Sequence, residues 1–505
     1  MGKVSLQTST GGETVKIHEA SSGDRSESPS TVFDPLLEKQ VWRKLDMWIL
    51  PVVAMFYFLS FLASFHRNIG NARVAGLQKD LKMTNKEYSI ALTVTYVPYI
   101  VAELPSNLLL KASSSLLFSL YTVGPNLMLP TMLTLWGVVT ALQGVVQTYG
   151  GLLACRFFLG LLEGGVFPGL VLYLSFFYPR HQLQWRISAF FSAASLSGAF
   201  SSLLAFGIIR VNGIGNRHGW AWIFIIEGSF TFALGALSYL LLPRSPAQAR
   251  FFNEQERRYI VLKLREDGAT GKDEAADAFS WREVGMAFKL PQVWMLAIIF
   301  FFDGAILFGL AYFTPSIVQS LGYNTSRAQL MSVPPFVVAF VLSMTGAYVS
   351  DKYRCRGIVA MFSSFLCVMG FGVFLGATTP HVQYGSLFFS ISGTYLAAPT
   401  LSTWSANNAA PHARRATAIA IGFIMTNSGG ILATWLLGSL SPAPRYLKAT
   451  RTLLTFSVLM FLLSGMNTCY LWNQNKKKKN IRVTSKKDEE KPGLGDLSAW
   501  FEYAL

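Results

Sequence analysis

Twelve separate apolar runs, most of them about twenty residues long, dominate this chain. A helix rises 1.5 Å per residue, so about twenty apolar residues cross the ~30 Å hydrocarbon core of a bilayer. Inside lipid a backbone has to satisfy its own hydrogen bonds, and long apolar runs do that as helices. Charged residues make up only 14% of the 505, against 51% hydrophobic. That is too few to cover the several domains that a soluble chain of this length would form. The expected fold class is an all-α membrane protein. The net charge of +16 does not point to nucleic acid, because Lys and Arg lie mainly in loops and tails between the runs, where they act as a topology signal.

The runs fall into two sets of six. Spans 1 to 6 cover about 47–64, 88–110, 127–146, 151–177, 187–209 and 220–242. Spans 7 to 12 cover about 293–320, 328–349, 358–375, 387–407, 417–440 and 453–471. Five regions follow: a disordered cytoplasmic tail over 1–45, a six-helix bundle over 46–242, a cytoplasmic loop over 243–291, a second bundle over 292–473 and a tail over 474–505. In the loop, Asn253 and Glu256 are spaced as a capping box before a surface helix. No cleaved signal peptide is visible in the polar first forty residues. The basic loops favour cytoplasmic termini, although two basic loops fall outside. Lys476 to Lys479 read as a stop-transfer flank with attraction to anionic lipid. Cys155, Cys355, Cys367 and Cys469 are scattered, which suggests neither a disulfide framework nor a zinc site.

Span 4 carries two charges, Arg156 and Glu163, among apolar residues. A charge at the middle of a spanning helix costs about 2.5–3.5 kcal/mol on insertion scales, so both should face protein or a cavity. Seven residues apart, they share a face but stand about 10 Å apart, too far for an easy mutual ion pair. Each is available to a solute or to another helix; a structural ion-pair network is the alternative. Gly160, Gly164, Gly165 and Gly169 have the spacing that lets neighbouring backbones approach closely. Asp303 lies near mid-membrane in span 7, as a proton-coupling group or a cation's partner. Glu227 in span 6 reads as an interfacial or structural partner. Asn407, Asn427, Tyr96, Tyr99, Tyr173 and Tyr312 are cavity-lining or packing candidates. No phosphate-binding Gly-x-x-x-x-Gly-Lys-Ser/Thr loop, His-Glu-x-x-His or Gly-x-Ser-x-Gly occurs. Enzymatic chemistry, metals and cofactors are therefore not expected.

Pro168, Pro179 and Arg186 around span 4 are echoed by Pro399, Pro411 and Arg415 around span 10, as in a parallel repeat of two halves enclosing a midplane site. The stretches ELPSNLLLK (103–111), CRFFLGLLEGGVFPG (155–169), GWAWIFIIEG (219–228), GLAYFTPSI (309–317), DKYRCRG (351–357), ANNAAPHARRATAIAIGFIMTNSGG (406–430) and LGDLSAWFEYAL (494–505) carry a resemblance. With them the chain resembles the major facilitator superfamily, and within it the fungal anion:cation symporters, the allantoate and nicotinic acid permeases. The resemblance implies twelve helices, alternating access and proton-coupled uptake of a small organic anion, most simply by a plasma-membrane monomer. Its implied substrate contacts are Asn68, Asn71 and Arg156 with His66 or Arg67. Glu163 or Asp303 exchanges the proton, and Glu103, Asp351, Lys352 and Arg356 act in gating. Asn324 begins a glycosylation sequon in an outer loop. Export of an acidic metabolite and nutrient sensing without transport are the other readings.

Two departures from the family pattern stand out. Phe65 and His66 occupy the places of an Asp and the substrate-binding Arg, while Arg67 follows one residue later, rotated about 100° on a helix. Either Arg67 reaches round, or His66 makes binding depend on pH near its ordinary value of about 6.5, or the exon boundary is shifted. Residues 113–122 are an insertion between spans 2 and 3, real or from a misread exon.

Overall fold

The computed structural model describes residues 35–62, 65–112, 125–179, 186, 197–208, 211, 213–269, 281–441, 446–484 and 494–505. The insertion at 113–122 lies outside them. Each of the twelve expected spans holds a described helix. Six of these helices are long and apolar enough to cross a membrane by length and composition. Packing is concentrated within each set of six, span 3 on span 6 in the first bundle, span 7 on span 11 and span 9 on span 10 in the second.

Span 1 starts earlier than its apolar run: its described helices are Pro35–Leu62 and Phe65–Val74. Leu37, Val41 and Leu45 recur every four residues, which builds an apolar stripe on an otherwise charged helix. Val41, Trp42 and Leu45 are buried in one cluster with Phe252, Tyr259 and Ile260 of the central loop. The loop helix Glu254–Ala269 begins in a capping box: Glu256 N donates to Asn253 Oδ1 (2.8 Å) and Asn253 N to Glu256 Oε2 (2.9 Å). Lys44 Nζ reaches Glu256 at 2.6 Å, and Arg186 Nε reaches Asp46 at 2.6 Å, so span 1 and the loops are tied together.

Span 4 is divided into Tyr149–Glu163 and Val166–Ser175 by a turn at Gly164 and Gly165. Gly160 is a close approach: a Cβ there would run into the backbone carbonyl of Thr95 on span 2. Span 12 is a helix of 38 residues, Leu447–Thr484, which carries the lysine run out of the membrane as helix. Lys476, Lys477 and Lys479 are exposed, but Lys478 is buried against the tail that follows.

An even number of spans puts Pro35 and Leu505 at one end of the molecule, here the terminal end; residues such as 76, 218, 322 and 441 lie at the far end. The bundles meet toward the far end. Ser89 and Thr93 of span 2 touch Thr434 of span 11, Trp435 Nε1 donates to Thr93 Oγ1 (3.0 Å), and Gln329 Nε2 of span 8 donates to the Asn71 carbonyl (3.3 Å).

Candidate functional site

Thr148 caps span 4 by accepting from Gly151 N (3.2 Å). From that end Arg156 lies about 10 Å in and Glu163 about 21 Å in. Both are buried, Arg156 completely and Glu163 to 8% exposure. Glu163 Oε2 lacks a hydrogen-bond partner among the described residues. Gly160 sits between them and presses this face of span 4 onto span 2, which carries Tyr88 and Tyr96.

A set of phenols surrounds the pair. Arg156 lies within electrostatic reach of Tyr312, Tyr88 and Glu163. Glu163 is in turn close to Tyr57, Tyr96 and Tyr312. The Tyr96 and Tyr312 hydroxyls hydrogen-bond each other at 2.7 Å, directly across the junction of the two bundles. Tyr96 packs edge-on to Phe308 and Tyr88 edge-on to Phe313, so rings from spans 2 and 7 interlock beside the arginine's tyrosine neighbours. Tyr312, a cavity-lining or packing candidate in the sequence, lies within electrostatic reach of Arg156 and Glu163. Tyr57 and Tyr88 were not foreseen; the signal available was Tyr88 and Tyr96, eight residues apart and hence on nearly one helix face.

Such a constellation has definite chemistry. A guanidinium presents five donors in a planar fork that fits a carboxylate with two parallel bonds. Phenol hydroxyls both donate and accept. A carboxyl group within reach of that cation can exchange its proton as the cation's other neighbours change.

The other expected residues are distributed differently. Asp303 is buried in the second bundle, about 18 Å into span 7, where Thr394 Oγ1 of span 10 donates to its Oδ1 (2.8 Å). Nine residues separate it from Tyr312 on the same helix, so it forms a second site. Asn68 and Asn71 are buried in span 1 and linked through Ser201: Ser201 Oγ donates to Asn68 Oδ1 (2.9 Å) and accepts from Asn71 Nδ2 (2.9 Å). Asn68 Nδ2 also donates to Glu227 Oε2. Glu227 thus has a structural partner, eight residues into span 6 rather than at its opening. The side chains of His66, Arg67, Glu103 and Asp351 lie outside the described residues.

Tyr99 and Asn407 are half-buried, while Asn427 turns its amide back to the Phe423 carbonyl of its own helix (3.0 Å). Of the gating set, Lys352 is exposed with its Nζ over the Tyr353 ring (5.5 Å), and Arg356 is buried with Nη1 donating to Thr403 Oγ1 (2.7 Å). Asn324 caps span 8 by accepting from Arg327 N (2.9 Å).

A family model described as Major Facilitator Superfamily matches residues 53–434. The chain is 34% identical over 503 residues to an uncharacterized transporter of Schizosaccharomyces pombe, covering 98% of this chain and 100% of that one. It is 30% identical over 445 residues to the high-affinity nicotinic acid transporter of Saccharomyces cerevisiae, covering 88% and 80% respectively. Among solved structures it resembles a D-xylose-proton symporter with a TM-score of 0.61, at 14% identity, over 82% of this chain and 96% of that one. At that identity the likeness shows the fold alone.

Proposed function

Since the chain belongs to the major facilitator superfamily, a family of membrane transporters, we propose that it takes up a small organic anion together with protons. The substrate class is a nicotinate-like, allantoate-like or similar carboxylate, and the nicotinic acid transporter among its relatives supports that choice. The observation that carries the reading is Arg156, wholly buried and within electrostatic reach of Glu163 and of Tyr88 and Tyr312 from spans 2 and 7, while Glu163 is in reach of Tyr57 and Tyr96. A wholly buried guanidinium with a carboxyl group within reach suits the binding of a carboxylate together with a proton.

In this scheme the guanidinium takes the carboxylate in its fork, and Tyr88 and Tyr312 donate to the remaining lone pairs. Glu163 carries the proton. An arriving anion offsets the Arg156 charge that Glu163 feels, which favours the protonated carboxyl; departure of the anion reverses this. Asp303 is the second proton site to test. With both termini cytoplasmic and the protein a monomer in the plasma membrane, the far end faces outward. The joined far ends then correspond to a state open to the cytoplasm, and alternating access breaks those contacts while closing the terminal end.

Uptake of labelled nicotinate, allantoate and related acids in a permease-deficient yeast, at external pH 5 and pH 7, tests this reading. Uptake is expected to be faster at pH 5 and to stop when the proton gradient is collapsed. Accumulation that survives that collapse removes the coupling, and normal uptake by Arg156→Gln removes the binding assignment.

A further inference from the structure

The final stretch LGDLSAWFEYAL (494–505) plays no part in the transport scheme, yet side chains of spans 10, 11 and 12 bond to it. It is folded back onto the terminal end of the second bundle. The Asp496 carboxylate pairs with Arg414 at the start of span 11, and Asp496 N donates to the Ala410 carbonyl (3.0 Å) in the turn between spans 10 and 11. Arg414 is completely buried, and its Nη2 also reaches Glu283 Oε2 (2.6 Å) on the loop helix Trp281–Ala287 that leads into span 7.

From span 12, Lys478 Nζ donates to the carbonyls of Asp496 (2.5 Å) and Phe501 (3.1 Å) and stands over the Tyr503 ring at 3.9 Å. Asn475 exchanges two hydrogen bonds with the Tyr503 backbone, at 2.8 and 2.9 Å. From the end of span 10, Trp404 Nε1 donates to the Ala504 carbonyl (2.9 Å), and Asn408 bonds both the carbonyl (3.0 Å) and the N–H (2.7 Å) of Ala504. Backbone groups that bond only their neighbours leave a tail free to fray; here side chains of three spans take them up instead.

We propose that residues 494–505 are a built-in strap that holds the hairpin of spans 10 and 11 against span 12 and the entry to span 7, and so favours the state joined at the far end. Closing the terminal end requires that hairpin to move toward the first bundle. While the strap is docked, its ties to Trp404, Asn408 and Arg414 on one side and Lys478 and Asn475 on the other oppose the movement. Released, the hairpin is freer to cross, and the population shifts toward the state open at the far end.

Gly495 offers a way to release the strap without altering any bundle residue. Its φ is +58°, and a Cβ there would run into the Ala410 carbonyl. Hydrogen exchange over 494–505 in Gly495→Val, and a chain ending at Gly493, report release. Ser89→Cys reports the conformation: Ser89 is fully buried under the far-end contact, so a membrane-impermeant maleimide reaches it only when that end opens. The expected result is labelling about fivefold faster or more in both variants, the lower range of coupling between distant sites. The truncated chain lacks the strap outright, so its labelling rate tests the proposal directly. An unchanged labelling rate in the truncated chain, folded as judged by its elution as a single species in detergent, overturns the proposal. Labelling needs no substrate, so this result stands apart from whether the anion assignment is right.

Discussion

At the scale of single residues, the charged pair in span 4 shows how far sequence can be pushed. Burial of Arg156 and Glu163 followed from the energy of charge in lipid. Tyr57 and Tyr88 did not follow, because they come from spans 1 and 2, and no spacing within a helix says which faces a third helix will meet. Arg156→Lys keeps the charge and loses the fork. Charge-assisted hydrogen bonds contribute about 1.5–3 kcal/mol each, so losing one raises the KM for the anion by roughly tenfold to a hundredfold. That rise, with kcat less affected, is what uptake kinetics should give. Glu163→Gln cannot exchange a proton, and its residual uptake should be equal at pH 5 and pH 7; a parental pH response would move the coupling role to Asp303.

Elements were legible where hydropathy is uniform and hidden where it is mixed. Hydropathy placed the run of span 1 near residue 47, because Glu38, Lys39, Arg43 and Lys44 dilute the apolar stripe that brings its helix down to Pro35. The same dilution hid the extension of span 12 to Thr484 and the docking of the tail, whose partners Arg414 and Lys478 look in sequence like ordinary loop charges. By contrast, the small-residue spacing in span 4 did anticipate a close helix contact, since Gly160 lies against the Thr95 backbone. A backbone carbonyl cannot rotate away as a side chain can, so Gly160→Ala should force spans 2 and 4 apart. Overpacking of this kind costs about 1–3 kcal/mol. In detergent the variant should melt several degrees below the parent. Gly372 in span 9 has open space where a Cβ would go, and Gly372→Ala should melt at or slightly above the parent temperature, as the helix preference of Ala over Gly suggests.

For the whole molecule, the bonds between the two bundles in the far half form a contact surface that has to part before that side can open. It runs from Ser89, four residues into span 2, to Tyr96, eleven residues in and about 16 Å deep, where the tyrosine pair crosses to span 7. Midway along it Thr93 Oγ1 and Thr434 Oγ1 are 3.4 Å apart. Cysteines at these two positions would bring their sulfurs close to the spacing from which a disulfide forms with small side-chain rotations. In Thr93→Cys/Thr434→Cys, oxidation should therefore link span 2 to span 11 and hold the far ends together. If uptake requires this surface to part in every cycle, transport should fall to background on oxidation and return on reduction, while each single variant keeps most of its rate. A cross-linked double variant that still transports at the parental rate would mean that the far-end contact is a fixed part of the fold and that access alternates elsewhere. Since the bond can be formed and broken in the same preparation, loss of folding is separated from loss of movement.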